Sequence, residues 1–229
     1  MKLLTTNNYK LLKGEGEGYL TYGLHLAPFN LSGHQVCPMA SAGCASACLN
    51  TAGRGAMSSV QKARIAKTKL LFSEREFFIK TLKEEINKAK RKAERLDKKL
   101  AVRLNVTSDI PWEAPTFGAI PFEFEDVQFY DYTKRRSRAY LPNYHITYSM
   151  SENTTDRDVV DAVSGNMFGF PANVAVVFSG KLPYTYLGYR VVDGDVNDLR
   201  FLDPEGVIVG LSAKGKAKKD TSGFVKKGA

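Results

Sequence analysis

The chain has 229 residues, 43% of them hydrophobic and 25% charged, with a formal net charge of +9. Such a chain is long enough to bury a sizeable core, and no stretch approaches the roughly 20 apolar residues that a membrane-crossing helix needs. The first residues also lack the apolar run of a secretory leader, so the expected compartment is the cytoplasm, where thiols stay reduced.

In chain order, residues 14–18 (GEGEG) read as a short turn and residues 19–26 (YLTYGLHL) as a first strand. A loop over 27–57 follows and carries all three cysteines. From Ser58 a long helical region is predicted, broken near Ser73. Its second part repeats Phe78, Leu82, Ile86, Ala89, Ala93 and Leu96 at three- and four-residue spacing, which is the stripe of a helix packed on a core. Short β-branched and aromatic segments come next, at 100–106, 127–132, 144–149, 173–178, 186–192 and 207–211. Helices are expected between them at 110–120 and 155–167. The alternation predicts an α/β protein: a partial (β/α) barrel or an open, largely parallel sheet of about six or seven strands, with a metal-binding loop after the first strand. One domain is expected over 1–210, followed by a basic tail over 211–229.

The charge is unevenly placed. Residues 60–99 hold 14 Lys and Arg against 6 Asp and Glu, a balance of +8, and residues 211–229 hold 6 Lys against 1 Asp, a balance of +5. These blocks are either solvated surface or an electrostatic footprint for nucleic acid. The run Lys134-Arg135-Arg136-Ser137-Arg138 beside Tyr130 and Tyr132 adds basic and aromatic groups of the kind that track phosphates and stack on bases.

The cysteines carry the sharpest chemistry. Cys37, Cys44 and Cys48 fall within residues 37–48 (CPMASAGCASAC), and there are no others. Three thiols cannot all pair as disulfides, and in a reducing compartment such a cluster more often binds metal. Cys44 and Cys48, four apart, share a face of any helical turn. Gly43 is free to take a positive φ, and the small residues between the thiols leave clearance for a bulky group. Two metal centres are open: an iron–sulfur cluster on three thiolates with one iron left for a ligand, or zinc with His34 as fourth ligand. Redox chemistry, or no metal at all, is the third alternative. His25 and His145 come with no local signature of a cysteine nucleophile.

Polar residues follow the predicted strands, where parallel α/β folds bind ligands. They are Asn105, Ser108, Asp109 and Glu113 after the second strand, Lys134 after the third, and Ser149, Ser151, Glu152 and Asn153 after the fourth. Asp195 and Lys214 follow the last two.

A three-cysteine loop after the first strand of a partial barrel resembles the radical S-adenosylmethionine superfamily. That resemblance implies a 4Fe–4S cluster on Cys37, Cys44 and Cys48, and S-adenosylmethionine on its open iron. It also implies contacts from Asn105, Ser108, Asp109, Ser149, Ser151 and Asn153 to that cofactor. The spacing Cys-x6-Cys-x3-Cys departs from the superfamily's common Cys-x3-Cys-x2-Cys. In this reading Lys134, Glu152, Asp195 and Lys214 orient substrate or move protons, and the substrate is a nucleotide or nucleic acid. Through LLTTNN, CPMASAGCASACLNTAGRG, RLNVTSDIPWE, FYDYTK, TYSMSEN, VVDGDVNDLRFLDP and VGLSAKGKAK the chain is similar to a bacteriophage family of gene product 88 type. That similarity implies a bacterial host cytoplasm and no particular reaction. The alternative reading is a zinc-stabilised, replication-associated nucleic-acid-binding phage protein.

Overall fold

Alternating apolar residues in the strand segments give the sheet one greasy face and one polar face, and the fold is organised around that difference. The structure is a computed structural model that describes residues 1–6 and 13–229. Of the LLTTNN stretch, Asn7 and Asn8 lie outside the described residues. The strands are β1 (Leu4–Thr5), β2 (Tyr19–Leu24), β3 (Lys99–Arg103), β4 (Gln128–Thr133), β5 (Tyr144–Ser149), β6 (Val174–Ser179), β7 (Thr185–Tyr186), β8 (Tyr189–Asp193), β9 (Ile208–Ser212) and β10 (Lys226–Lys227). They form one open ten-stranded sheet in the order β1-β2-β3-β4-β5-β6-β9-β8-β7, with β10 pairing on β6. From β2 to β9 all neighbours are parallel, β8 is parallel to β9, and only the outer β1 and β7 run antiparallel to their partners.

On the apolar face, Leu20, Leu24, Leu100, Val102, Phe129 and Ile146 meet the stripe of a long helix. The helices are α1 (Ala42–Ser46), α2 (Ser58–Ser73), α3 (Arg75–Arg95), α4 (Ile120–Glu123) and α5 (Asp156–Ser164). On α3, Phe78, Leu82, Ile86, Ala89 and Ala93 are at most 2% exposed, each large apolar side chain contributing roughly 2 kcal/mol of burial. Leu96, expected to continue the stripe, is 49% exposed, because the helix ends at Arg95 and the chain turns there. Helix α5 opens on a capping box of Thr155 and Asp158 and packs Val159 and Ala162 on β5, β6 and β9.

The opposite face carries Thr21, Arg103, Tyr130, Tyr132, His145 and Thr147. It is covered by the segment after β8, whose Leu199 packs with Ala101 and Tyr130. Asp198 Oδ1 and Oδ2 accept from Arg103 Nη1 at 3.0 and 2.9 Å, and the Arg103 guanidinium stacks on the Tyr132 ring at 4.5 Å.

Three expectations change. The helix expected at 110–120 is a loop, a single 3-10 turn (Pro115–Phe117) and the short α4, since Pro111, Pro115 and Pro121 interrupt the backbone ladder. The segment over 211–229 is no free tail. Strand β5 pairs with β6 only at Val174 and Ala175, and β10 pairs with β6 at Phe178 and Ser179, so the chain's end occupies the fork between the two strands. The sheet has ten strands because three two-residue pairings join the seven long ones, and two residues are too few to show an alternating pattern. Among the described residues no helix is long and apolar enough to cross a membrane.

Candidate functional site

The cysteine loop leaves the carboxyl end of β2 and is tied down at several points. Phe29 sits at φ +55, in the left-handed region that a bulky residue seldom adopts. Its N–H points at Cys37 Sγ, 3.4 Å away, and Cys37 Sγ lies 3.8 Å from the carbonyl of Thr107, beyond β3. Further on, Ser41 caps α1, accepting from Cys44 N at 3.2 Å, and donates to Glu152 Oε2 at 2.6 Å. Glu152 Oε1 accepts from Gly43 N at 2.6 Å. Glu152 therefore fastens the thiol loop to the end of β5. Gly43 does not need a positive φ, since it lies within α1. Its small size is what matters, because a Cβ there would come 2.2 Å from Ser222 Oγ and 2.8 Å from the Glu152 carboxyl.

All three thiols are free and half-buried. Burial pushes the Cys37 thiol up to about 12, against the pull of the Phe29 N–H and with a further push from the negative charge that Cys48, Asp109 and Cys44 would carry. Cys48 is also raised by burial, partly offset by the Asn50 N–H and by the nearby cations Arg64 and Lys134. The three sulfurs thus share one electrostatic neighbourhood, flanked by two positive side chains. Among the described residues, however, no group of three or more His, Cys, Asp or Glu side chains could hold a single metal ion. His34 stacks flat on Phe72, with ring centroids 4.4 Å apart.

Around this neighbourhood the strand ends bring some of the expected residues together. Lys134 Nζ donates to Ser149 Oγ at 2.7 Å, lies 5.4 Å from the centre of the Phe224 ring, and influences Cys48. Asp109 accepts from Thr133 Oγ1 at 2.7 Å and from Lys134 N at 2.9 Å. Ser151 and Thr154 bond to one another at the start of the turn before α5, with Oγ···Oγ1 at 3.3 Å, and Asn153 stands exposed on that turn. Asn105 is 2% exposed and fully engaged: its amide donates to Ile110 O and Asp131, and its oxygen accepts from Ser108 Oγ, Ile110 N and Trp112 Nε1. Asn105 and Ser108 thus knit the turn after β3, leaving the Asn105 side chain no capacity for a ligand. Asp195 and Lys214 pair at 2.7 Å, and Asp195 also accepts from Ser212 N, which links the ends of β8 and β9.

The basic run after β4 is engaged in the fold. Arg138 has no exposed side-chain area and forms a bidentate pair with Glu113 (2.6 and 3.0 Å). Arg136 pairs with Asp158 at 2.7 Å, and Tyr130 is fully buried, so Tyr130 presents no ring for bases to stack on. Pattern reading also passed over two residues that shape the site. Arg64 looks like another solvated lysine-like charge on α2, yet it is 8% exposed, bonded to Asn50 and near Cys48. Phe224 lies in the supposed tail but packs with Cys44, Ala47 and Ala217. A lone aromatic within a lysine-rich end was the available signal.

The geometry defines an α/β protein with an open, largely parallel sheet and three free thiols on the loop that leaves the carboxyl end of β2. The chain matches the family model described as gene product 88 over residues 2–228, and it belongs to that family. Neither the curated proteins nor the solved structures contain a significant match to it.

Proposed function

We propose that the chain is an iron–sulfur enzyme of radical S-adenosylmethionine type acting on a nucleotide or nucleic acid, with Cys37, Cys44 and Cys48 as cluster ligands. The observation that supports this most is the convergence of the chain's only thiols at the end of the first long strand, with backbone N–H groups directed at two of them. The donor set suits a polynuclear centre better than a single ion. Three thiolates are the number that a cluster with one open iron takes, whereas a closed zinc site needs a fourth N or S ligand, and the His34 ring is stacked on Phe72. A cluster spreads its ligands further apart, and N–H···S bonds tune its potential.

Such a cluster, held by Cys37, Cys44 and Cys48 and given one electron by a reductant, would together with S-adenosylmethionine supply hydrogen-atom abstraction chemistry. The chain's own residues then have separable tasks. Arg64 and Lys134 offset thiolate charge at Cys48. Glu152 positions Ser41 and Gly43, and so the backbone that carries Cys44. The exposed turn at Asn153, with Ser149 and Lys134 on its β5 and β4 flanks, offers polar groups to the cofactor's amino acid or ribose. Asp195 with Lys214 forms a paired acid and base on the far side of the same edge.

Anaerobic reconstitution with iron and sulfide tests the reading. The wild type develops a broad visible charge-transfer band with about four iron per chain, and Cys37→Ala, Cys44→Ala and Cys48→Ala each abolish it. Stoichiometric zinc with no such band would overturn it. A second reading, contact with nucleic acid, draws support from Lys88, Arg91, Lys92 and Arg95, which stand exposed at the end of α3.

A further inference from the structure

A second cleft, of about 300 Å³, opens at the opposite end of the sheet from the thiols, between the loops that precede β5, β6 and β9. Its walls include Tyr140, Phe170 and Phe201, with the Tyr140 and Phe170 rings 5.3 Å apart. Its polar groups include His145 and Asp203. Both present a buried atom without a hydrogen-bond partner, Nε2 of His145 and Oδ2 of Asp203. Asp203 does have a charge partner, Arg200 Nη1 at 3.1 Å, but that contact is not a hydrogen bond. A buried polar atom left unbonded is costly, and a ligand supplying the missing bond recovers that cost.

The chemistry of the cleft narrows what that ligand is. Burial and the Arg200 charge pull His145 down to about 4, so its ring is neutral at pH 7 and offers Nε2 as one donor or acceptor. Arg200 is already matched by Asp203, and Glu205 adds a second carboxylate to the lining, so the cleft has no net positive charge to attract a phosphate. A flat ring suits the aromatic wall. Asp203 accepts from an N–H or O–H donor, and His145 offers one further polar contact.

We propose that this cleft binds a nucleobase, with its ring against Tyr140, Phe170 and Phe201, an N–H edge on Asp203 Oδ2 and a second polar atom on His145 Nε2. The site is separate from the thiols and needs no metal, so it stands whether or not the cluster reading does. It gives a nucleotide-bearing substrate a second point of attachment, far from the strand carboxyl ends.

The test is calorimetric titration of the full chain with guanosine, adenosine, cytidine and uridine, each alone, at pH 7.5. At least one nucleoside is expected to bind saturably. Asp203→Asn should weaken that binding about tenfold and Tyr140→Ala about fivefold. Tyr140 is 67% exposed, so its truncation leaves the core intact and keeps the test valid if Asp203→Asn perturbs folding. Tyr184→Ala, 85% exposed and outside the cleft, should leave the affinity unchanged. Absence of saturable binding by all four nucleosides would overturn the proposal. So would binding that both cleft substitutions leave unchanged, or binding lost in Lys134→Ala, which would place the nucleoside at the thiol end.

Discussion

Asp131 illustrates how far a single residue can depart from its ordinary chemistry. It lies on β4 with no exposure, on the apolar side of the sheet. It accepts from Asn105 N at 2.7 Å, Asn105 Nδ2 at 3.0 Å and Tyr144 OH at 2.5 Å. Burial raises its carboxyl to about 6, although Arg138, the Tyr144 bond, Arg103 and the Asn105 N–H all pull it back. Because the folded value lies above the unfolded one, the folded chain holds a proton that the unfolded chain has released between about pH 4 and pH 6. The resulting stability is fully present below the unfolded value and is lost as pH rises through 6. Urea unfolding midpoints at pH 5.0 and 7.5, compared between wild type and Asp131→Asn, read this directly. The wild type's advantage over the variant should be larger at pH 5.0, by on the order of 1 kcal/mol. An advantage that is equal at both values, or larger at pH 7.5, contradicts the account.

At the scale of elements, the C-terminal segment matters most to the site. Strand β10 holds the fork between β5 and β6, and Asp220 organises the turn before it by accepting from Ser222 Oγ at 2.7 Å and Val225 N at 3.0 Å. Phe224, 9% exposed, then lies on Cys44 and Ala47 beside Lys134. In metal-free protein this cover and the burial of Cys37 and Cys48 should make the thiols slow to alkylate at pH 8. Phe224→Ala removes a large apolar contact, at a cost of up to about 3 kcal/mol at this peripheral position, and frees the end of the chain locally. Iodoacetamide labelling should then accelerate severalfold at Cys44, with the far-UV circular dichroism unchanged. Equal labelling rates would show that the segment does not cover the thiols. The sequence pattern could not reveal this element, because β10 is only two residues long and both are lysines. The seven long strands, the break near Ser73 and the α3 stripe were legible because each repeats a period over at least five residues. The placement of the thiols after the first long strand was legible for the same reason. The roles of Glu152 and Gly43 were not, since a contact between residues about 110 apart leaves no trace in local spacing.

At the scale of the whole molecule, the question is where the charge of +9 acts. Part of the basic composition is matched inside the fold or at its surface. Arg103 pairs with Asp198, Arg138 with Glu113, Arg136 with Asp158, Lys83 with Glu123 and Lys90 with Asp126. What stays exposed on α3 is concentrated at its C-terminal end, in Lys88, Arg91, Lys92 and Arg95. Cations there also suit the negative end of the helix dipole, so a purely structural benefit accounts for part of the cluster. The two roles separate by salt dependence. If these four side chains contact phosphates, affinity for duplex DNA falls with a log–log salt slope of about −3.6, from about −0.9 per phosphate neutralised. Replacing Lys88, Arg91 and Lys92 by Gln should then bring the slope to about −0.9. A fluorescence-polarisation titration of a labelled duplex at 50–200 mM salt measures it. If the helix dipole is the whole explanation, DNA binding is absent at every salt concentration, and the triple variant differs from wild type only by a small loss of thermal stability. The expected result is weak, sequence-independent binding that is largely abolished at physiological ionic strength. Four exposed cations on one helix end are enough to attract a polyanion but too few to hold it once counterions compete.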